Sequence, residues 1–86
     1  MTKEEIRSLI VEELGNIAPE TDAGTVDPDS DLREALDIDS LDFLNFIAAL
    51  HRKTGVNVPE PDYANLLTLN KAVAYLLAKQ AERRTG

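Results

Sequence analysis

The sequence predicts an all-α fold, a four-helix bundle with a long first loop and a short third helix. Apolar residues recur at helical spacing, no stretch alternates polar and apolar residues as a strand would, and Gly and Pro fall between the apolar segments. With 86 residues, of which 43% are hydrophobic, the chain is long enough for one modest core. We therefore expect a single domain over 1–86, with its packed part at about 2–81 and a frayed tail at 82–86.

The first helix is predicted to begin with a capping box, in which Thr2 is the N-cap and Glu5 stands three residues later. Most glutamates of this segment fall outside its apolar face. That face consists of Ile6, Leu9, Ile10, Leu14 and Ile17. Gly15 and Pro19 mark the end of the helix.

A loop of about twenty residues, 18–39, follows the first helix and carries eight acidic side chains. Loops of this length in a compact domain are usually functional or disordered. Three apolar residues, Leu32, Leu36 and Ile38, can pin the second half of this loop to the core. A single turn of helix is expected at 32–36.

The second helix is expected from Ser40 to about Lys53, with Gly55 as its stop. One apolar stripe is assigned to the core, namely Phe43, Phe46, Ile47 and Leu50. A second stripe is rotated away from the first and consists of Leu41, Leu44 and Ala48. Either the helix is buried on all sides, or the second stripe is an exposed docking patch bordered by Asp39 and Asp42. The exposed patch is the favoured interpretation.

The last part of the chain predicts a short extended link and two more helices. The link is 56–59, and Pro61 then suits the first turn of a short third helix that continues over 62–67. Thr68 is the expected cap of the fourth helix, which ends at about Ala81. The apolar face of this helix comprises Leu69, Ala72, Val73, Leu76 and Leu77.

The net charge of −7 is unevenly distributed along the chain. Residues 1–50 hold 13 acidic and three basic side chains, whereas residues 51–86 hold three acidic and six basic ones. An acidic surface repels nucleic acid and attracts basic protein surfaces. No apolar run reaches the roughly 20 residues of a membrane span, and no signal peptide pattern is present. We therefore expect a cytoplasmic monomer that binds proteins, without nucleic acid or membrane insertion.

The sequence predicts neither a catalytic site nor a metal site. Asp27, Asp29 and Asp31 resemble the start of a calcium loop, but leucine and isoleucine stand where that pattern needs glycine and glutamate. His51, the one histidine, is expected at the surface and is insufficient for a catalytic triad, and there is no cysteine. We therefore expect a protein that is not an enzyme.

Ser40 is the position best suited to covalent modification. It lies between an acidic loop and an apolar helix, and its hydroxyl is predicted to cap the helix by accepting a first-turn N–H. The positive end of the helix dipole would favour a phosphate group at this point. On these residues alone, an unmodified helix cap is an equal alternative.

Around Ser40 the chain resembles the acyl carrier protein family, and the resemblance covers about residues 6–78. The family motif Asp-Ser-Leu at the start of the second helix matches Asp39-Ser40-Leu41. Other matching positions are Leu32 in the long loop, Leu36 before the serine, Pro59 before the third helix and Tyr75 in the fourth.

The resemblance implies that a phosphopantetheinyl transferase attaches 4′-phosphopantetheine from coenzyme A to Ser40, and that Asp39 helps the transferase recognise the site. Partner enzymes (an acyl-ligase, synthase or acyltransferase) would bind residues of the second helix, namely Leu41, Asp42, Leu44 and Ala48. The acyl group would be held as a thioester and sheltered beside Leu66 and Tyr75. Such a carrier serves fatty acid, polyketide or related lipid biosynthesis.

Several positions depart from the family pattern. Asp37 stands where glycine is usual, Asn45 where glutamate is common, and Thr54 where an aromatic residue is usual. The acidic end of the second helix is replaced by His51-Arg52-Lys53. Because fatty acid synthesis enzymes usually grip an acidic second helix, these departures favour a specialised free-standing carrier over the housekeeping one.

Two alternatives stay open. One is an aminoacyl or peptidyl carrier, although such carriers usually have glycine and histidine before the serine, where this chain has Ile38 and Asp39. The other is an unmodified acidic helical adaptor that binds one protein partner.

Overall fold

The computed structural model describes the backbone of residues 1–85 and the side chains of residues 1–82. Four α-helices follow one another in this range, with no strand among the described residues: α1 (Lys3–Ile17), α2 (Leu32–Ala35), α3 (Ser40–Thr54) and α4 (Leu69–Thr85). Two 3-10 segments, Ala23–Thr25 and Glu60–Leu66, lie between them. The predicted all-α class is confirmed.

The core lies where α1 packs against both α3 and α4. Its largest fully buried side chains are Phe46, Ile6, Ile10, Leu14, Leu32, Leu50, Leu66, Leu69 and Leu76. Burial of each such side chain stabilises a fold by roughly 1.5–3 kcal/mol. The predicted core stripe of the second helix, from Phe43 to Leu50, is buried as expected.

The predicted capping box at the start of α1 is present. The Thr2 hydroxyl accepts a hydrogen bond from the Glu5 N–H at 3.1 Å, and the Glu5 carboxylate accepts one from the Thr2 N–H at 2.8 Å. These bonds to Thr2 lower the pKa of Glu5. Glu13 differs from expectation, because it is buried rather than on the exposed face. It follows Ile10 by three residues and so falls on the same side of the helix.

The long loop is held to the start of α4 by hydrogen bonds that the sequence did not predict. The Leu32 N–H donates to the Leu67 carbonyl at 2.7 Å, and the Asn70 N–H donates to the Pro28 carbonyl at 3.0 Å. The Asn70 amide also donates to the Asp29 carboxylate at 2.8 Å. Leu32 and Leu36 are buried, as predicted. The second half of the loop is therefore both packed and hydrogen-bonded.

Asp37 adopts a left-handed backbone conformation of the kind that favours glycine. Its φ is 53°, in the left-handed region. The Asp37 N–H bonds to the Glu34 carbonyl at 3.4 Å and the Ile38 N–H to the Arg33 carbonyl at 3.0 Å, which together form a Schellman motif at the end of α2. Aspartate tolerates this conformation better than most residues. The turn before Ser40 thus has a glycine-type backbone without a glycine.

The end of α3 agrees with the prediction, since Gly55 follows it with a φ of 74°. His51 is exposed, as expected, and its Nδ1 lies 3.0 Å from the Val56 carbonyl. Because a carbonyl only accepts hydrogen bonds, Nδ1 carries the proton in this bond.

The predicted short third helix is a 3-10 helix, Glu60–Leu66. A hydrogen bond from the Tyr75 hydroxyl to the Asp62 carboxylate, at 2.7 Å, joins this helix to α4. Partial burial, together with this bond, raises the pKa of Tyr75 to about 12.

The fourth helix begins at its predicted cap but ends later than predicted. The Thr68 hydroxyl accepts a hydrogen bond from the Lys71 N–H at 3.1 Å. Helix α4 continues to Thr85, so most of the predicted frayed tail is helical, and Gly86 lies outside the described residues. Leu77, predicted on the buried face, is 37% exposed. Within the described residues, no helix combines the length and apolarity needed to cross a bilayer.

Candidate functional site

Asp39, rather than Ser40, caps α3, which corrects the sequence prediction. The Asp39 backbone is extended, and its carboxylate accepts a hydrogen bond from the Asp42 N–H at 2.8 Å. Ser40 is the first residue of the helix itself. Aspartate and serine are about equally good N-caps, so the sequence alone did not decide between neighbouring candidates.

Because Asp39 caps α3, the Ser40 hydroxyl is not used as the helix cap. Ser40 is exposed, and its side chain makes no hydrogen bond to any residue in the described part of the chain. By contrast, the Ser30 hydroxyl donates to the Asp27 carbonyl at 2.8 Å, and Ser8 lies within α1. Ser40 therefore presents an accessible oxygen next to the unpaired backbone N–H groups of the first turn of α3.

A cavity of about 330 Å³ opens beside Ser40. Its lining includes residues from α2, α3 and the 3-10 helix: Arg33, Ser40, Phe43, Leu44, Glu60, Tyr63, Ala64 and Leu67. Leu66 and Tyr75, which the family resemblance places beside the sheltered acyl group, do not line this cavity. Leu66 is fully buried in the core, and Tyr75 bonds to Asp62 instead.

The second apolar stripe of α3 is exposed, so the interpretation in which this helix is buried on all sides is wrong. Leu41 is 65% exposed and Leu44 is 44% exposed, and Ala48 on the same face is also exposed. Asp42 is half-buried beside them. The surface formed by Leu41, Asp42, Leu44 and Ala48 is called the α3 patch below.

The acids that resembled a calcium loop have structural partners. The Asp27 carboxylate accepts a hydrogen bond from the Asp29 N–H, and that of Asp29 accepts one from Asn70. Asp31 caps α2 and forms an ion pair with Arg33 at 3.0 Å, which lowers the pKa of Asp31. No group of three or more potential metal ligands occurs within the described residues.

Arg33 is the residue of this region that sequence reasoning overlooked. It lines the same cavity as Ser40. The sequence could have drawn attention to Arg33, because it is the only lysine or arginine between Arg7 and Arg52 and lies in an acidic segment.

Comparison with known proteins agrees with this geometry. A family model described as phosphopantetheine attachment site matches residues 4–76, a span that includes Ser40. The acyl carrier protein of Helicobacter hepaticus is 32% identical over 79 residues, covering 92% of this chain and 97% of that protein. That of Campylobacter hominis is 34% identical over 73 residues, covering 85% and 86% respectively. That of Renibacterium salmoninarum is 35% identical over 72 residues, covering 84% of each chain.

The family match over residues 4–76 assigns this helical bundle to the class of carrier domains. The chain belongs to the phosphopantetheine attachment family, together with these acyl carrier proteins.

The residues present fit 4′-phosphopantetheine as a covalent cofactor. The free Ser40 hydroxyl is an ester acceptor, and the first-turn N–H groups of α3 suit a phosphate. The cavity beside Ser40 has a largely apolar lining, including Phe43, Leu44 and Leu67, which suits the uncharged part of such a group.

Proposed function

We propose that this chain acts as an acyl carrier with 4′-phosphopantetheine attached to Ser40. One observation above all supports the proposal: the Ser40 hydroxyl is exposed and unbonded within the described residues, at the start of α3, in a chain that matches the family over most of its length. When bound, phosphopantetheine supplies a terminal thiol that holds an acyl group as a thioester.

The chain contributes an acceptor oxygen, and the transferase does the chemistry. In the attachment step, a bond forms between Ser40 Oγ and the phosphorus of coenzyme A that bears the pantetheine. The pyrophosphate bond breaks, the nucleotide bisphosphate leaves, and the hydroxyl proton passes to a base of the transferase. The chain itself acts as a carrier and its partners are the catalysts.

Asp39 has two separable roles in this proposal, as the helix cap and as a charge that the transferase recognises. Asp39→Ala removes both, and we expect it to lower the free energy of unfolding by about 1 kcal/mol. Asp39→Asn keeps a capping oxygen, so its stability should match the wild type within about 0.5 kcal/mol. Urea denaturation and transferase kinetics on both variants separate the roles. If Asp39→Asn is modified as fast as the wild type, recognition of the charge is excluded.

The α3 patch is the proposed contact surface for the transferase and for acyl-handling enzymes. It lies on the helix that begins with Ser40, and it combines two exposed leucines with the carboxylate of Asp42. Acidic groups speed encounter with basic partner surfaces, and a small apolar area gives the weak, transient binding that a carrier requires. The basic turn Arg52–Lys53 at the far end of α3 supports a dedicated set of partners.

We expect Leu41→Asp to lower kcat/KM for the transferase by about tenfold, the usual effect of losing one apolar interface anchor. The fold should be unaffected, because Leu41 is 65% exposed. Leu77→Asp is the matched control, since Leu77 is also exposed but lies on α4 in a groove with Lys3 and Arg7. Equal losses in both variants would contradict a contact at the α3 patch.

Intact mass after co-expression with a broad-specificity transferase tests the proposal. A gain of one phosphopantetheinyl group is the expected result. No gain with any transferase would support the unmodified adaptor instead. Loading assays with acyl and aminoacyl ligases then separate the acyl carrier from an aminoacyl or peptidyl carrier. The name acyl carrier protein borne by the relatives favours the first. A cytoplasmic, monomeric carrier stays a prediction.

A further inference from the structure

Arg33 lies in α2, and the turn that ends α2 leads directly to Ser40. The Arg33 carbonyl accepts a hydrogen bond from the N–H of Ile38, two residues before Ser40. Arg33 and Ser40 also line one cavity, in which Glu60 is the only other charged side chain. Arg33 therefore borders the cavity that opens beside Ser40.

The guanidinium of Arg33 is oriented by Asp31 and keeps unused donors. Nε lies 3.3 Å and Nη2 3.0 Å from the Asp31 carboxylate oxygens, so one edge of the planar group is occupied. Nη1 makes no hydrogen bond to a described residue, and the Arg33 side chain is 44% exposed. Its two N–H groups are available to an anion.

A phosphate at Ser40 needs such a cation, because the surrounding charges are negative. Asp37, Asp39 and Asp42 stand within three residues of Ser40 along the chain. A phosphodiester adds another negative charge, which these carboxylates repel. The first-turn N–H groups of α3 and Arg33 are the groups that offset this repulsion.

We propose that Arg33 binds the phosphodiester of the group carried on Ser40, through the Nη1 edge that Asp31 leaves free. The inference rests on the proposed function, because it requires phosphopantetheine at Ser40. It makes Arg33 a positioning residue, which holds the attached group at the cavity lined by Tyr63 and Leu67.

A thermodynamic cycle measures the contact. The unfolding constants of apo and holo protein are compared for the wild type, Arg33→Gln and Arg33→Lys. Taking the holo-to-apo ratio cancels the loss of the Arg33–Asp31 pair, since that loss affects both forms. We expect Arg33→Gln to make the holo form less stable relative to apo by about two- to fivefold, the range of an exposed charge pair, and Arg33→Lys to restore part of it. Arg52→Gln also removes one positive charge, but Arg52 lies twelve residues beyond Ser40 along α3, about 18 Å from it, so this variant should leave the ratio unchanged.

Nuclear magnetic resonance provides a readout that a purely structural role would not move. The Nε–H resonance of Arg33 should shift between apo and holo protein while that of Arg52 stays in place, and the phosphorus resonance should move in Arg33→Gln. If the Arg33 resonance is the same in apo and holo protein, and Arg33→Gln leaves the holo-to-apo ratio of unfolding constants unchanged, the Arg33 contact is wrong but the proposed function still stands. Failure of any transferase to modify the chain would overturn the proposed function as well.

Discussion

Ser40→Ala is expected to abolish phosphopantetheine attachment completely while leaving the fold intact. The loss is all-or-none because the substitution removes the oxygen to which the new bond is made. The fold is spared because Asp39 provides the α3 cap and Ser40 is exposed at the first helical position. Alanine is a good helix former, so the free energy of unfolding should stay within about 0.5 kcal/mol of the wild type. Intact mass after transferase treatment and urea denaturation measure the two parts.

The other serines provide the matched controls. Ser30→Ala removes a hydroxyl that is bonded to the Asp27 carbonyl, and Ser8→Ala removes a hydroxyl within α1. Both variants should still gain one phosphopantetheinyl group. A mass gain that persists in Ser40→Ala would place the attachment elsewhere. A Ser40→Ala variant that unfolds would instead mean that this serine is structural.

Leu32→Ala is expected to lower the free energy of unfolding by about 2–5 kcal/mol, the usual range for a fully buried leucine. Domains of this kind are stable by roughly 5–15 kcal/mol in total, so the loss is a large fraction. The effect should be concentrated in the long loop, where Leu32 also donates its N–H to the Leu67 carbonyl. Urea denaturation gives the magnitude, and amide hydrogen exchange at Leu32 and Asn70 reports whether the loop opens first.

Leu41→Ala is the control for that experiment, since it makes the same chemical change at a leucine that is 65% exposed. It should change stability by no more than about 0.5 kcal/mol. If Leu32→Ala costs as little as Leu41→Ala, the loop is not anchored by this side chain and the hydrogen bonds to α4 suffice.

The proposed roles of Asp39 and Arg33 make the long loop important for function, because both residues belong to it. Its packed second half leads through α2 to Asp39, and α2 carries Arg33. A substitution that loosens the loop should therefore weaken attachment at Ser40 without touching the serine.

The sequence predicted those features that depend on local spacing and side-chain chemistry. The capping box at Thr2, the stop at Gly55 and the cap at Thr68 follow from residue type, and the structure has each of them. On α1 the helical period correctly predicted the burial of Ile6, Ile10 and Leu14. The exposed second stripe of α3 was foreseen for a similar reason. A helix in a small bundle needs only one apolar face for the core.

What the sequence by itself determined is the all-α class, the order of the helices and the position of Ser40 at the start of one of them. Asp39 and Ser40 are about equally good N-caps, so only the structure showed which of them caps α3. Only the tertiary structure decided that Arg33 shares a cavity with Ser40 and that the long loop is fixed by Asn70. The physical reason is that helical period and capping chemistry act over three or four residues. The fixing of the long loop depends instead on contacts between residues distant in the chain, such as Asp29 and Asn70, which no local pattern records.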